Sequence, residues 1–432
     1  MRNMKPHEAP PKGRMNFMAM VRALRHRNYR LFFAGQGISL IGTWMQRIAM
    51  SWLVYRLTNS PFLLGLVGFT GQLPLFLLSP FAGVLADRLN RHRVLVVTQT
   101  LAMMQALILG ILVLAGTVAV WQIVLLSILL GFVDVLDMPV RQAFLIEMIE
   151  GKEDLGNAIA LNSLILNSAR LIGPSIAGIV IAYVGEGVCF LLNALSYFAV
   201  IASLLAMKLV ARRIDSPHTN LLHGVKEGFS YAFGSAPIRS VLLLISLVSL
   251  LGMPLTVLMP VFARDILLGD SHTLGFLMGA SGTGALVGGM ILASRRSMLG
   301  LEKWTALATG IFGVGLVFFS QSRNFLFSML MVFITGFGMI VQHASGNTLL
   351  QTVVDEDKRG RVMSLYVMAF RGMIPFGSLL GGSLANKIGA PNTLLIGGAS
   401  CVLGALLFAR TIPSIAKTIR FAYERKEGAG GK

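Results

Sequence analysis

Residues 62–93, "FLLGLVGFTGQLPLFLLSPFAGVLADRLNRHR", run for 25 residues without Asp, Glu, Lys or Arg and then deliver one acid, three arginines and a histidine. An α-helix rises 1.5 Å per residue, so about 20 apolar residues cross the roughly 30 Å hydrocarbon layer of a bilayer. The stretch therefore predicts a membrane helix that stops at a charged edge. Windows 187–207 and 240–263 are equally free of these charges. Of the 432 residues, 55% are hydrophobic and 13% charged, about half the charged share of a soluble domain.

Twelve such spans follow along the chain: 31–55, 62–86, 94–115, 119–138, 158–183, 187–207, 239–262, 273–293, 303–320, 325–350, 361–385 and 392–411. Only helices and closed barrels satisfy their backbone hydrogen bonds in hydrocarbon, and these spans are too long and uniformly apolar for barrel strands. The expected fold is an all-α polytopic membrane protein with twelve transmembrane helices in two pseudo-symmetric six-helix bundles. A cytoplasmic N-terminal segment (1–28) precedes the first bundle (29–207). The longest polar interruption, 208–238, contains Asp215-Ser216-Pro217 and is read as a cytoplasmic linker. The second bundle covers 239–411, and 412–432 form a cytoplasmic tail. Phe17, Val21 and Leu24 fit one face of a short interfacial helix, with a mobile tail as the alternative.

A formal charge of +18 would suggest nucleic acid in a soluble protein. Its placement gives another reason. Of 37 Lys and Arg, four (Arg56, Arg264, Arg323, Lys387) fall on the side opposite the termini and three (Arg47, Arg170, Arg371) within spans, leaving 30 on the side of the termini. Basic residues accumulate on the cytoplasmic face of membrane proteins, so both termini are expected in the cytoplasm and no nucleic-acid partner is needed. Cys189 and Cys401 both fall in apolar spans, where small packing roles suffice.

The two halves repeat each other. Ser163, Arg170 and Pro174 stand at intervals of seven and four, and Ser364, Arg371 and Pro375 reproduce the types and the intervals; Gly42 and Gly65 return as Gly252 and Gly275, each 210 residues on. Parallel halves related by an axis along the membrane normal are a transporter architecture, with the binding site between them near mid-membrane.

With these features the chain resembles the major facilitator superfamily of transporters over residues 29–411. Gly83, Asp87, Arg88 and Arg91 match that superfamily's Gly-x-x-x-Asp-Arg-x-Gly-Arg signature between helices 2 and 3. Asn90, which also tolerates a left-handed backbone, replaces the second glycine. Gly173, Pro174 and Gly178 resemble the exporter-associated Gly-Pro-x-x-Gly-Gly pattern of helix 5, with Ala177 at one glycine. "NSPFLLGL", "MPVRQAFL" and "KRGRVMSLY" are similar to the bacterial exporter branch that includes enterobactin exporters and macrolide-efflux proteins. The arginine that many proton-coupled drug exporters carry in helix 4 is missing here. The resemblance implies that Asp87 belongs to a cytoplasmic latch between the halves, where a carboxylate near the start of span 11 would accept its free N–H groups. Arg88, Arg91 and Arg93 would hold the loop in the cytoplasm and bind anionic lipid headgroups.

Charges inside the spans carry the functional reading. A charge at the bilayer centre costs at least about 2.5 kcal/mol on insertion scales, so Arg47, Arg170 and Arg371 are expected to face another helix or a wet cavity. Ser163, Asn167 and Arg170 lie on one side of span 5. Asp134 and Asp137 neighbour each other on span 4; Arg141 follows Asp137 at i+4 and offers it an ion pair, while Asp134 lacks such a local partner. Asp134 is the leading proton-coupling candidate, with His343 and Asp137 as the others. Gly-rich "GASGTGALVGG", 279–289, is read as small residues for close helix packing rather than a nucleotide loop.

The expected function is export of a small amphipathic or anionic molecule by alternating access, in exchange for protons. Narrower versions are a siderophore exporter or a drug or macrolide efflux pump. A membrane-embedded enzyme or a non-transporting sensor is the alternative from another class, against which stand the missing HExxH, GxSxG and GxxxxGK[ST] motifs. No cofactor or metal is expected; the partners are the small-molecule substrate, protons and membrane lipids, and the protein is expected to act as a monomer in a bacterial inner membrane.

Overall fold

A computed structural model describes residues 21–149, 153–207, 221–295, 300–356 and 358–418; over 79–88 and 221–227 it describes the backbone alone. Among the described residues twelve long helices cross the molecule: α1 (Arg27–Thr58), α2 (Pro61–Arg88), α3 (Arg91–Leu114), α4 (Val120–Glu147), α5 (Leu155–Val184), α6 (Glu186–Leu205), α7 (Ala236–Ile266), α8 (Ser271–Ala293), α9 (Leu301–Gln321), α10 (Phe325–Val353), α11 (Arg359–Ile388) and α12 (Ala390–Ala409). No strand occurs among the described residues. Eleven of the helices are apolar enough to span a membrane by composition. The other, α1, has the length but carries four arginines together with buried Gln36 and Gln46.

Helix pairing shows the two-fold repeat directly. Within the first half α1 packs on α5 and α6, α2 on α4, and α3 on α4 and α6. Adding six to every number gives the contacts of the second half: α7 on α11 and α12, α8 on α10, and α9 on α10 and α12. The halves meet along α2–α11 and α5–α8, which exchange under the same operation. Glycines permit the two crossings. A Cβ on Gly65 would lie 2.5 Å from the Ser378 carbonyl oxygen and 3.0 Å from Gly382 Cα, and a Cβ on Gly178 2.7 Å from the Ser271 carbonyl oxygen and 3.0 Å from Gly275 Cα. Close backbone approach is what small residues contribute in lipid, where apolar burial alone does not drive helices together.

An even number of spans places the start of α1 and the end of α12 at one end of the bundle, the terminal end. At the opposite end the halves are tied together. Tyr55 donates to Asp265, Arg264 Nη1 donates to Asn59 Oδ1 at 2.7 Å, and Ser271 Oγ donates to the Gly178 carbonyl at 3.0 Å. Phe376 of α11 packs edge-on against Phe69 and Phe76 of α2 and extends this contact toward mid-membrane.

Three local features depart from a uniform twelve-helix reading. π-helical turns interrupt α7 at Val248–Gly252 and Phe262–Ile266, and α11 at Met368–Gly372. A helix, Leu221–Gly234, lies within the expected linker, and its Tyr231 hydroxyl donates to Asp355 Oδ2 at 2.9 Å. Ahead of α1, a 3-10 turn at Arg22–Arg25 docks on the start of α5: the Ala23 amide donates to Asn157 Oδ1 at 2.9 Å, and Arg22, Arg25 and His26 surround the fully buried Asp154 carboxylate. Leu24 thus lies within a docked turn that Val21 precedes, and Phe17 lies outside the described residues.

Candidate functional site

The intramembrane charges converge from five helices of both halves. Trp44 and Arg47 share a face of α1, three residues apart, and the Arg47 guanidinium lies 5.0 Å from the centre of the Trp44 ring. Arg170, midway along α5, approaches the same ring at 5.7 Å. Such cation–π contacts contribute about 0.5–2 kcal/mol each, more as water is removed. Arg170 Nη2 also reaches Met339 Sδ on α10 at 3.8 Å, across the junction of the halves.

One turn beyond Met339, His343 lies within the field of Arg170. It is only 5% exposed, and neither ring nitrogen has a hydrogen-bond partner among the described residues. Its ring centre lies 3.9 Å from that of Phe370 on α11, and the Tyr366 hydroxyl donates to its backbone carbonyl at 3.2 Å.

Arg371 makes the reciprocal crossing. Its Nη1 lies 2.6 Å from Met138 Sδ on α4, and Asp134, one turn before Met138, sits in the field of Arg371 and Arg47. No described residue pairs directly with the Asp134 carboxylate. Arg47 and Arg371 are exposed and Asp134 and Arg170 partly so, although all four lie deep within their spans.

Asp137 has a different surrounding. It is 4% exposed, accepts from Thr98 Oγ1 at 2.9 Å and Gln99 Nε2 at 2.6 Å, and pairs with Arg141. Its lone pairs are taken by donors on α3 and α4, the arrangement of a brace. Ser163 and Asn167 turn their donors onto their own helix, to the carbonyls of Ile159 and Ser163, both at 2.9 Å. They continue the Arg170 face toward the terminal end without reaching the arginine cluster.

The family described as transmembrane secretion effector matches residues 19–420. The chain belongs to this family of major facilitator transporters. The transporter is 27% identical over 385 residues to the staphyloferrin A transporter of Staphylococcus aureus, covering 88% of this chain and 95% of that relative. It is 22% identical over 402 residues to macrolide efflux protein A of Streptococcus pyogenes, covering 89% and 96%. Among solved structures, a bacterial homologue of the human lysosomal transporter Spinster in an inward-facing conformation superposes with a TM-score of 0.68 at 12% identity, over 92% of this chain and 98% of that one. An inward-facing bacterial homologue of the iron transporter ferroportin gives 0.67 at 17% identity, over 89% and 98%. These likenesses are to transporters, and the fold they share is the one found here.

The transporter's family motifs acquire separate physical roles. A Cβ on Gly173 would lie 2.5 Å from Trp44 Cβ, so this glycine seats α5 against the helix that carries Trp44 and Arg47. Pro174 and Ala177 are buried beside it, and Gly178 makes the crossing to α8. In the loop signature, the side chains of Gly83, Asp87 and Arg88 lie outside the described residues, so the latch expected at Asp87 stays a proposal. Arg91 Nη1 pairs with Glu147 Oε1 at 2.7 Å and ties α3 to α4 within one half. Asn90 is extended, with φ −67° and ψ 106°, and its side chain accepts from the Arg93 amide at 3.0 Å. Helix capping, and not a left-handed backbone, accounts for asparagine there. In the 279–289 stretch, Gly282 passes the backbone of Arg170 and Leu171, and Gly284 and Gly288 pass the backbone of α10.

Trp44, Met138, Met339 and Asp154 were not among the residues the sequence singled out. Trp44 had a usable signal, an aromatic three residues before an arginine within an apolar span. The two methionines had one as well: Gly131, Asp134 and Met138 align with Gly336, Met339 and His343 at a constant shift of 205. Asp154 had no comparable signal, since its basic partners lie 128 or more residues away.

Proposed function

We propose that the transporter exports a small amphipathic or anionic molecule from the cytoplasm by alternating access, in exchange for protons, as a monomer in the bacterial inner membrane. The observation that carries this reading is the meeting of Arg47, Asp134 and Arg170 from one half with His343 and Arg371 from the other, beneath the ties at the end opposite the termini. With the termini cytoplasmic, as the 30 basic residues on their side favour, this arrangement is inward-facing. Rocking along α2–α11 and α5–α8 would expose the same charges to the other side. Asp87 would close the cytoplasmic end in that second state.

Cargo and protons drive such a cycle only by binding its states with different affinities. Asp134 is the group best placed for the proton, because it has no direct partner and lies in the fields of arginines from both halves. His343 is the second candidate, and Asp137, held by three donors, the third. The relatives' names support two cargo classes, a siderophore and a macrolide or other drug.

The test is uptake into inside-out vesicles under an imposed pH gradient. Asp134→Asn is expected to abolish gradient-driven movement while cargo still binds. Full proton-coupled transport by that variant would remove Asp134 from the role.

A further inference from the structure

Three guanidiniums meet at the centre of this molecule with fewer acceptors than they need. Each carries five N–H donors and no acceptor. Those of Arg170 and Arg371 end on thioether sulfurs, which accept hydrogen bonds weakly. That of Arg47 rests on the face of Trp44. Among the described residues Asp134 is the one carboxylate in the field of Arg47 and Arg371 that is not already claimed, since Asp137 is held by Arg141, Thr98 and Gln99. Three positive charges against one negative leave an excess of two.

An uncompensated charge at this depth is costly, yet the site is reachable: Arg47 and Arg371 are exposed at mid-span. A charge excess that the protein leaves uncovered is suited to a counter-ion that comes and goes. His343 adds an unfilled hydrogen-bonding ring within the field of Arg170.

We infer that this cluster is the binding site of a cargo bearing two or more carboxylates, gripped by Arg47 and Arg170 of the first half and by Arg371 of the second. This rests on the export reading and narrows its cargo from amphipathic or anionic to multiply anionic. Arginine suits the task because its planar fork meets a carboxylate with two parallel hydrogen bonds. The methionine contacts hold the two guanidiniums across the junction without competing strongly for those bonds. A dianion balances the excess and joins both halves, which a single carboxylate reaching one arginine does not do.

The probe is tricarballylate, a small tricarboxylate, with its trimethyl ester as the uncharged match, titrated calorimetrically into the full-length protein in discs of neutral lipid at constant ionic strength. Tricarballylate is expected to bind at millimolar concentration or tighter, and the ester not at all. Arg170→Met and Arg371→Met should each weaken binding by about ten-fold or more, the usual consequence of losing a charge-assisted hydrogen bond. Asp134→Asn removes a like charge and is expected to tighten binding several-fold, which gives a reading even if the arginine variants do not fold. Equal binding of the ester, no binding of tricarballylate, or unchanged affinity in all three variants overturns the inference. Tricarballylate binding without any vesicle transport would sink the export reading and leave the site. Proton-driven movement of an uncharged amphiphile without tricarballylate binding would do the reverse.

Discussion

Arg170 and Arg371 occupy equivalent places in the two halves, yet they face different chemistry. Each crosses the junction to a helix of the other half and meets a methionine sulfur there, Met339 for Arg170 and Met138 for Arg371. One turn away, Arg371 has the carboxylate of Asp134 and Arg170 the imidazole of His343. At the 205-residue shift the order is exchanged: Asp134 aligns with Met339, and Met138 with His343. The repeat therefore preserves a pattern of one arginine, one methionine and one titratable group, and alters which group titrates. Arg47 has no counterpart, since Val257 stands 210 residues on. Duplication set the frame, and divergence at Arg47, Asp134 and Met138 made its two sides chemically different.

The backbone differs too. Arg170 sits in regular α-helix, whereas Arg371 lies in the π turn Met368–Gly372. Such turns cluster at functional sites because the wider turn re-aims a side chain and leaves the helix easier to bend. Around Gly42 the first half packs polar groups, with Asn193 donating to Gln46 Oε1 at 2.7 Å and Gln46 to Gln105 Oε1 at 2.9 Å. Around the equivalent Gly252 the second half packs Phe312 and Cys401. At this pair of equivalent positions the first half is fixed by directional bonds and the second by shape.

The largest effect that would separate the two arginines is on transport. Arg371→Met and Arg170→Met are each expected to lower vesicle transport by about ten-fold or more. Only Arg371→Met should also shift the pH dependence of transport, because of these two arginines Arg371 is the one that acts on the acid. Equal shifts in both variants would mean that the carboxylate and the imidazole share the proton, and the asymmetry drawn here would fail.

A smaller effect tests the symmetry of the tied end. Gly65→Val and Gly178→Val insert side chains into crossings related by the repeat, where an added Cβ alone would lie within 3.0 Å of the facing backbone. Overpacking of this kind costs roughly 1–3 kcal/mol, and the losses in thermal midpoint are expected to be similar. Both variants should also label faster at cysteines introduced near Asn59, as the tied end loosens. Strongly unequal losses would show that α2–α11 and α5–α8 carry different shares of the closure.

Much of the fold was legible because lipid imposes a length and a composition on every span, and because the repeat of Ser163, Arg170 and Pro174 in Ser364, Arg371 and Pro375 announced the duplication. The depth of Arg170, Arg371 and Asp134 in apolar windows likewise announced a shared interior. What the sequence hid depends on three-dimensional register. A π turn has no composition of its own, so the one at Met368–Gly372 did not show. The 205-residue repeat marks Met138 and Met339 as positions, but only the crossing places an arginine on each. The linker helix lies in a stretch whose charge and Pro217 suggested a loop.

The smallest expected effect lies at the two helix starts that lead to these arginines. Asp154, ahead of α5, and Asp355, ahead of α11, share the 201-residue shift of Arg170 and Arg371. Asp355 is exposed and accepts from Tyr231, whereas Asp154 is fully buried among His26, Arg22 and Arg25. The hydrogen bond with His26, followed by the charges of Arg22 and Arg25, holds the Asp154 carboxyl below the usual carboxylate range. A carboxyl whose native value is lowered stabilises the folded state in full above its unfolded value, about 4, and loses that contribution as pH falls through the lower native value. Asp154→Asn is therefore expected to lower the thermal midpoint by a similar margin from pH 8 to pH 5, and the gap to the parent should narrow below about pH 4. Asp355→Asn, which disturbs an exposed contact, should leave the midpoint nearly unchanged throughout. A gap for Asp154→Asn that persists undiminished into acid would show that burial and shape, and not the charge of the carboxylate, hold the amino-terminal turn on α5.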